Sequence, residues 1–188
     1  MLIAVDLDGV IANSLKVLLD VWNEETGQNI RFEEIDEWFF WKRLNIDEKT
    51  FLKFLNRAWI RWTEIPPTED KIREKLFKLR SLGRLDIVTA RSKETEIYAL
   101  NWLAKHEIPY DNYVWVKDTE DKAVLEYDVY IDDSPLLARA LKDKEKILLI
   151  YDQPWNRELD EGKNIKRIKD LDEAYQYLIN KKHFKSRY

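Results

Sequence analysis

The chain holds 188 residues, 45% of them hydrophobic, enough for one buried core with a small elaboration. Its 32 Lys+Arg nearly balance 36 Asp+Glu, leaving a net charge of −4 and excluding the broad positive field that nucleic-acid polymers or anionic membranes require. There is no cysteine, hence no disulfide framework or thiolate metal site. No apolar run approaches the ~18 residues of a membrane span, and the N-terminus has no basic start or small-residue cleavage site, so a cytoplasmic protein is expected.

Leu2–Leu7 is apolar and β-prone, the pattern of a strand covered on both faces. From about residue 14 to 63 three helical pieces follow, "SLKVLLDVWNEE", "FEEIDEWFFWKR" and "DEKTFLKFLNRAWIRW", with no strand between them. "IPP" at Ile65–Pro67 ends this stretch. Helices and strands then alternate. "TEDKIREKLFKLRSLG" opens with Thr68 and closes with Gly83, and the strand Leu85–Thr89 comes next. "SKETEIYALNWLAKHE" opens with Ser92 and leads to the strand Tyr113–Val116. "TEDKAVLEY", from Thr119, precedes the strand Val129–Asp132, and "SPLLARALK", with Ser134 as cap and Pro135 at its first helical position, precedes Ile147–Tyr151. A capping box of Asp170 and Glu173 starts the last helix, and the basic "KKHFKSRY" reads as its end and a frayed tail.

This order predicts an α/β fold: a doubly wound, parallel, five-stranded sheet with a small helical cap inserted after the first strand. The domain reading is 1–13 and 64–188 for the core and 14–63 for the cap.

Asp6 and Asp8 end the first strand. In an extended chain they point to the same side, with Cα atoms roughly 6.5–7 Å apart, at the sheet edge where α/β folds bind ligands. Asp132 and Asp133 end a second strand in the same way. Four converging carboxylates need a cation, and without Cys or clustered His the fitting one is Mg²⁺. Gly9 frees the backbone to turn after Asp8. Thr89 stands at a strand end before a helix, where its hydroxyl and the amides at Ala90 and beyond suit a phosphate. Lys122, in the first turn of a predicted helix, is electrostatically misplaced unless an anion faces it.

Taken together, "DLDGV", "VTAR", "DKAVLEYD" and "IDDSP" resemble, in order and placement, the four motifs of haloacid-dehalogenase-like (HAD) phosphotransferases, from Met1 to about residue 156. The resemblance implies Asp6 as nucleophile and Asp8 as general acid/base, with Thr89, the Ala90 amide and Lys122 on the phosphoryl group. It implies Mg²⁺ held by Asp6, Asp132 and the Asp8 carbonyl, with Asp133 acting from behind them. Within that superfamily "DKAVLEYDVYIDD" and "DQPWNR" resemble the 5′(3′)-deoxyribonucleotidases. "TAR" at Thr89–Arg91 departs from the second hydroxyl and proline of the better-known members.

The expected function is a Mg²⁺-dependent phosphomonoester hydrolase working through an aspartyl phosphate, with a nucleoside monophosphate as its small phosphorylated partner. Alternatives are a HAD phosphatase for a sugar phosphate or other metabolite, and a non-catalytic nucleotide-binding module. A second aspartate argues against a dehalogenase, because halide leaves without a proton. Four successive aromatics, Trp38 to Trp41, cannot all face inward on one helix. Phe39, Phe40 or Trp41 is therefore a candidate to stack on a base, against packing within the cap, while Arg43, Arg91 and Asn156 are candidate substrate contacts. Trp59 and Trp62 read as cap core.

Overall fold

Continuous apolar runs become the middle of a sheet because only there are both faces of a strand dry. The computed structural model describes residues 1–185, with side chains described to residue 181. Among these residues six strands, all paired in parallel, stand in the order β3-β2-β1-β4-β5-β6. They are β1 (Leu2–Val5), β2 (Arg84–Thr89), β3 (Tyr113–Trp115), β4 (Val129–Asp132), β5 (Ile147–Tyr151) and β6 (Ile165–Ile168). The count is six rather than five. β6 reads "IKRI", with Lys166 bonded to Glu161 and Arg167 to Asp152. An edge strand has no second neighbour and tolerates charges that hide it from a sequence pattern.

Alternation along the strands divides the core. Ile3, Val5, Val129, Ile131 and Leu149 face one layer, with Leu76 and Leu79 of α4 (Ile72–Arg80), Trp102 and Leu103 of α5 (Glu96–Lys105), and Ala174 and Leu178 of α7 (Leu171–Lys185). Ala4, Tyr130, Leu148 and Ile150 face the other, with Leu137 and Leu141 of α6 (Pro135–Leu141). Helices thus cover both faces.

Between β1 and β2 lie α1 (Ser14–Thr26), a 3₁₀ turn at Phe32–Glu34, α2 (Phe40–Arg43) and α3 (Glu48–Ile60). Asp47 caps α3 by accepting from the Thr50 amide at 2.7 Å. "FEEIDEWFFWKR" makes only that 3₁₀ turn and one turn of helix. The segment leaves and returns through one narrow base, where Ala12 bridges Pro67 and the Asn13 amide donates to Pro66.

Local details differ from the sequence reading for physical reasons. Thr68 does not cap α4: its hydroxyl donates to the Val10 carbonyl at 2.6 Å, and the helix starts only at Ile72. A Cβ on Gly83 would lie 2.0 Å from the Met1 carbonyl oxygen, so this glycine permits close approach to β1 rather than ending a helix. Asp170 caps α7 through the Glu173 amide at 2.8 Å, while the Glu173 carboxylate takes the Lys169 amide. α7 runs through Lys185, and the rest of "KKHFKSRY" lies outside the described residues.

Candidate active site

In a doubly wound sheet the crevice opens where neighbouring strands send their connections to opposite sides, here between β1 and β4. Asp6 follows β1 directly, and its amide still donates to the Ile131 carbonyl at 2.9 Å, so both strand ends are in register at the site. Asp132 is the last residue of β4, with Asp133 next. The carboxylates of Asp6, Asp132 and Asp133 offer oxygens that all lie within 4.8 Å of one another, and all three residues are buried.

Lys122 answers part of this charge. Its predicted helix is instead a 3₁₀ run, Thr119–Val124, capped by Asp118, and it turns the lysine inward. The ammonium, 2% exposed, lies 2.8 Å from Asp6 Oδ1 and 2.7 Å from Asp132 Oδ2. The two carboxylates raise its pKa above the usual lysine value despite burial. Asp132 Oδ1 accepts from the Ser134 amide at 2.9 Å, so both oxygens of Asp132 have partners. Asp133 is less well served. Its Oδ2 accepts from Trp155 Nε1 at 3.1 Å, and its Oδ1 is buried without a partner among the described residues.

One cation for three buried carboxylates leaves them short of positive charge. Burial first, then Asp132 and Asp8 against the opposing pull of Lys122, push the Asp6 carboxyl up to about 7. Burial and its two acidic neighbours push Asp133 well above the ordinary range. All-oxygen donors, an orphaned Oδ1 and a charge deficit fit a hard divalent cation.

Asp8 stands apart from the three. Its Oδ1 accepts from the indole Nε1 of Trp59 at 2.7 Å, across the boundary between sheet and inserted helices. Gly9 holds φ +78°, and a Cβ there would meet Asp133 Oδ2 at 2.1 Å, so the turn after Asp8 needs glycine twice over. Thr89 is buried, its Oγ1 3.3 Å from the Arg91 amide.

These groups open into a cleft of about 330 Å³, floored by Asp6, Asp8, Thr89, Ala90, Lys122 and Asp133 and roofed by the inserted helices. The family described as 5′ nucleotidase, deoxy (pyrimidine), cytosolic type C protein matches residues 1–184. The chain belongs to this family. It is 25% identical over 177 residues to a nucleotidase of Clostridium acetobutylicum, a match spanning 92% of this chain and 91% of that protein. It is 27% identical over 174 residues to a Chlorobaculum tepidum protein provisionally described as a 5′(3′)-deoxyribonucleotidase, covering 85% and 82%. Among solved structures, a haloacid dehalogenase-like hydrolase of Streptococcus pneumoniae superposes with a TM-score of 0.66 at 15% identity, covering 94% and 97%. This chain is thus a phosphoric monoester hydrolase on a HAD fold.

Around this family's cleft the remaining candidates separate. Phe39, Phe40, Trp41 and Arg91 line it. Phe40 and Trp41 are also nearly buried, and Trp41 stacks on Phe51 with centroids 4.0 Å apart and planes at 12°, so the run packs the roof while showing edges to the cleft. Arg43 is not in the wall: it is exposed and pairs with Asp36 at 2.8 Å. Asn156 is buried below the site, donating to the carbonyls of Asp133 and Tyr151, both at 2.8 Å. Asn156 thus braces the strand ends from outside the cleft wall.

Two tryptophans were not legible as site residues. Trp59 carries a helical spacing to Trp62 that reads as packing, and nothing in sequence ties it to Asp8. Trp155 sits in "DQPWNR", the signal that could have found it; beside it the Gln153 side-chain Nε2 donates to the Gly9 carbonyl at 2.6 Å. No described helix is long and apolar enough to cross a membrane.

Proposed function

We propose that the chain is a Mg²⁺-dependent 5′-nucleotidase that hydrolyses (deoxy)nucleoside monophosphates through an aspartyl phosphate on Asp6. The observation that carries this reading is the Lys122 ammonium held between Asp6 and Asp132, beside the unpartnered Asp133 Oδ1. Asp6 and Asp132, with the Asp8 carbonyl, would hold the ion, and Asp133 adds the oxygen that lacks a partner. When bound, Mg²⁺ supplies Lewis-acid neutralisation of the phosphoryl charge.

Lys122 fixes one oxygen of Asp6 and leaves the other to attack phosphorus. The Thr89 hydroxyl and the Ala90 amide donate to phosphoryl oxygens. As the P–O ester bond breaks, Asp8 gives its proton to the departing alkoxide; it then takes one from the water that cleaves the acyl phosphate and restores Asp6. An indole N–H can only donate. Trp59 therefore claims Asp8 Oδ1 as an acceptor and leaves the transferable proton on Oδ2. The aromatic roof of Phe39, Phe40 and Trp41 favours a base over a bare sugar in the same cleft.

Phosphate release from a panel of nucleoside monophosphates and sugar phosphates, with Mg²⁺ and with a chelator, tests this. Turnover of nucleotides that is lost on chelation, and lost in Asp6→Asn, is expected. Release confined to sugar phosphates would transfer the reading to the alternative substrate, and an active Asp6→Asn would remove Asp6 as nucleophile.

A further inference from the structure

Among the described residues, Arg91 is a buried cation without a side-chain hydrogen-bond partner. It is 5% exposed, its Nε, Nη1 and Nη2 bond to nothing, and it lines the cleft. Desolvating a guanidinium without pairing it is costly, yet the side chain is fixed. Its Cζ lies 3.7 Å from the centroid of the Trp59 ring, and its backbone carbonyl accepts from Trp115 Nε1 at 2.8 Å. A cation stacked on one face keeps its in-plane donors free for oxygen acceptors.

Position decides which oxygens. The guanidinium shares the cleft wall with Asp8 and Asp6. Its stacking partner Trp59 is the residue bonded to Asp8. Under the proposed function, on which this inference rests, Asp8 faces the leaving oxygen, so Arg91 lies beyond the scissile bond. We propose that Arg91 is a specificity-determining residue whose guanidinium binds carbonyl or hydroxyl oxygens of the leaving group. The substrate class it selects is phosphomonoesters of oxygen-rich alcohols such as nucleosides, over plain aryl or alkyl esters.

The test is the ratio of kcat/KM for thymidine 5′-monophosphate to that for phenyl phosphate, whose leaving group has no oxygen beyond the ester one. Arg91→Met is expected to lower this ratio by about 10–100-fold. An unchanged ratio overturns the proposal, including the case of equal losses, which would assign Arg91 to the transferring phosphoryl group. If Arg91→Met does not fold, Arg91→Lys, which keeps the cation but not the fork, is expected to lower the ratio too. Should the wild type hydrolyse neither ester, the proposed function falls, and calorimetric binding of the two esters decides Arg91: affinity for thymidine 5′-monophosphate must depend on it more than affinity for phenyl phosphate. Equal dependence, or no binding of either, overturns it.

Discussion

Trp59 donates its indole N–H to Asp8 at 2.7 Å although the two residues are 51 positions apart and belong to different parts of the fold. The proposed acid is therefore oriented by the inserted helices and not by the sheet that carries it. Trp59→Phe keeps a ring for Arg91 to stack on while deleting the donor. Losing the bond frees the carboxyl to rotate away from the leaving oxygen, so kcat is expected to fall about 10-fold, and the lost hydrogen bond, worth about 0.5–1.5 kcal/mol to a neutral acid, should lower the melting temperature by a few degrees. Steady-state kinetics and thermal unfolding of the one variant check both.

The acidic cluster makes stability depend on pH. Asp6 titrates at about 7 in the folded chain against 3.8 as its ordinary value, because it is buried first and lies near Asp132 and Asp8 second. Between those limits folding takes up a proton, so the contribution is fully present below about pH 4 and is lost as pH rises through 7. Asp133 acts in the same direction. Without divalent ions, Asp133→Asn should raise the melting temperature at pH 8 and have little effect at pH 4. A loss of stability at pH 8 would contradict the charge-deficit account.

Mg²⁺ competes with those protons. At a concentration a hundredfold above Kd, binding adds about 2.7 kcal/mol, or roughly 5–10 °C for a chain of this size. The shift is expected at pH 8 and should shrink towards pH 5, where Asp6 is protonated. Thermal scans with Mg²⁺ and with chelator at the two pH values measure it; an equal shift at both would place the ion elsewhere.

Gly9→Ala combines a positive φ with a Cβ 2.1 Å from Asp133 Oδ2. The turn and Asp133 cannot both stay in place. A loss of more than about 2 kcal/mol by denaturant titration is expected, together with loss of most activity.

In the aromatic roof, Trp41→Ala removes a buried stacked ring and should cost about 3–5 kcal/mol. Phe39 is half-buried and set edge-on to Trp41 at 5.3 Å. Phe39→Ala should spare most of that stability and instead raise KM for nucleoside monophosphates several-fold. Denaturant titration and KM values for the pair test whether Phe39 touches the base.

The sheet and its acids were legible because their signals are local. "LIAVDLDG" and "VYIDD" each contain both an apolar run and the carboxylates that end it, so strand and site are read from the same few residues. β6 was not, because Lys166 and Arg167 break its pattern at the edge. Lys122 stands out in the sequence as an electrostatic misfit, and the 3₁₀ run resolves that misfit by turning the side chain towards Asp6 and Asp132. Trp59 and the stacked, unpartnered guanidinium of Arg91 depend on how the inserted helices sit on the sheet, which no spacing along the chain encodes.

The pairing of Ile3 with Val129 joins residues 126 positions apart. At synthesis rates of about 5–20 residues per second, Asp6 leaves the ribosome on the order of ten seconds before Asp132 and Asp133 do. A nascent chain therefore carries the proposed nucleophile for all that time without the two carboxylates that join it in the folded site. Catalytic competence is acquired late in translation, and a chain truncated before β4 would be inert.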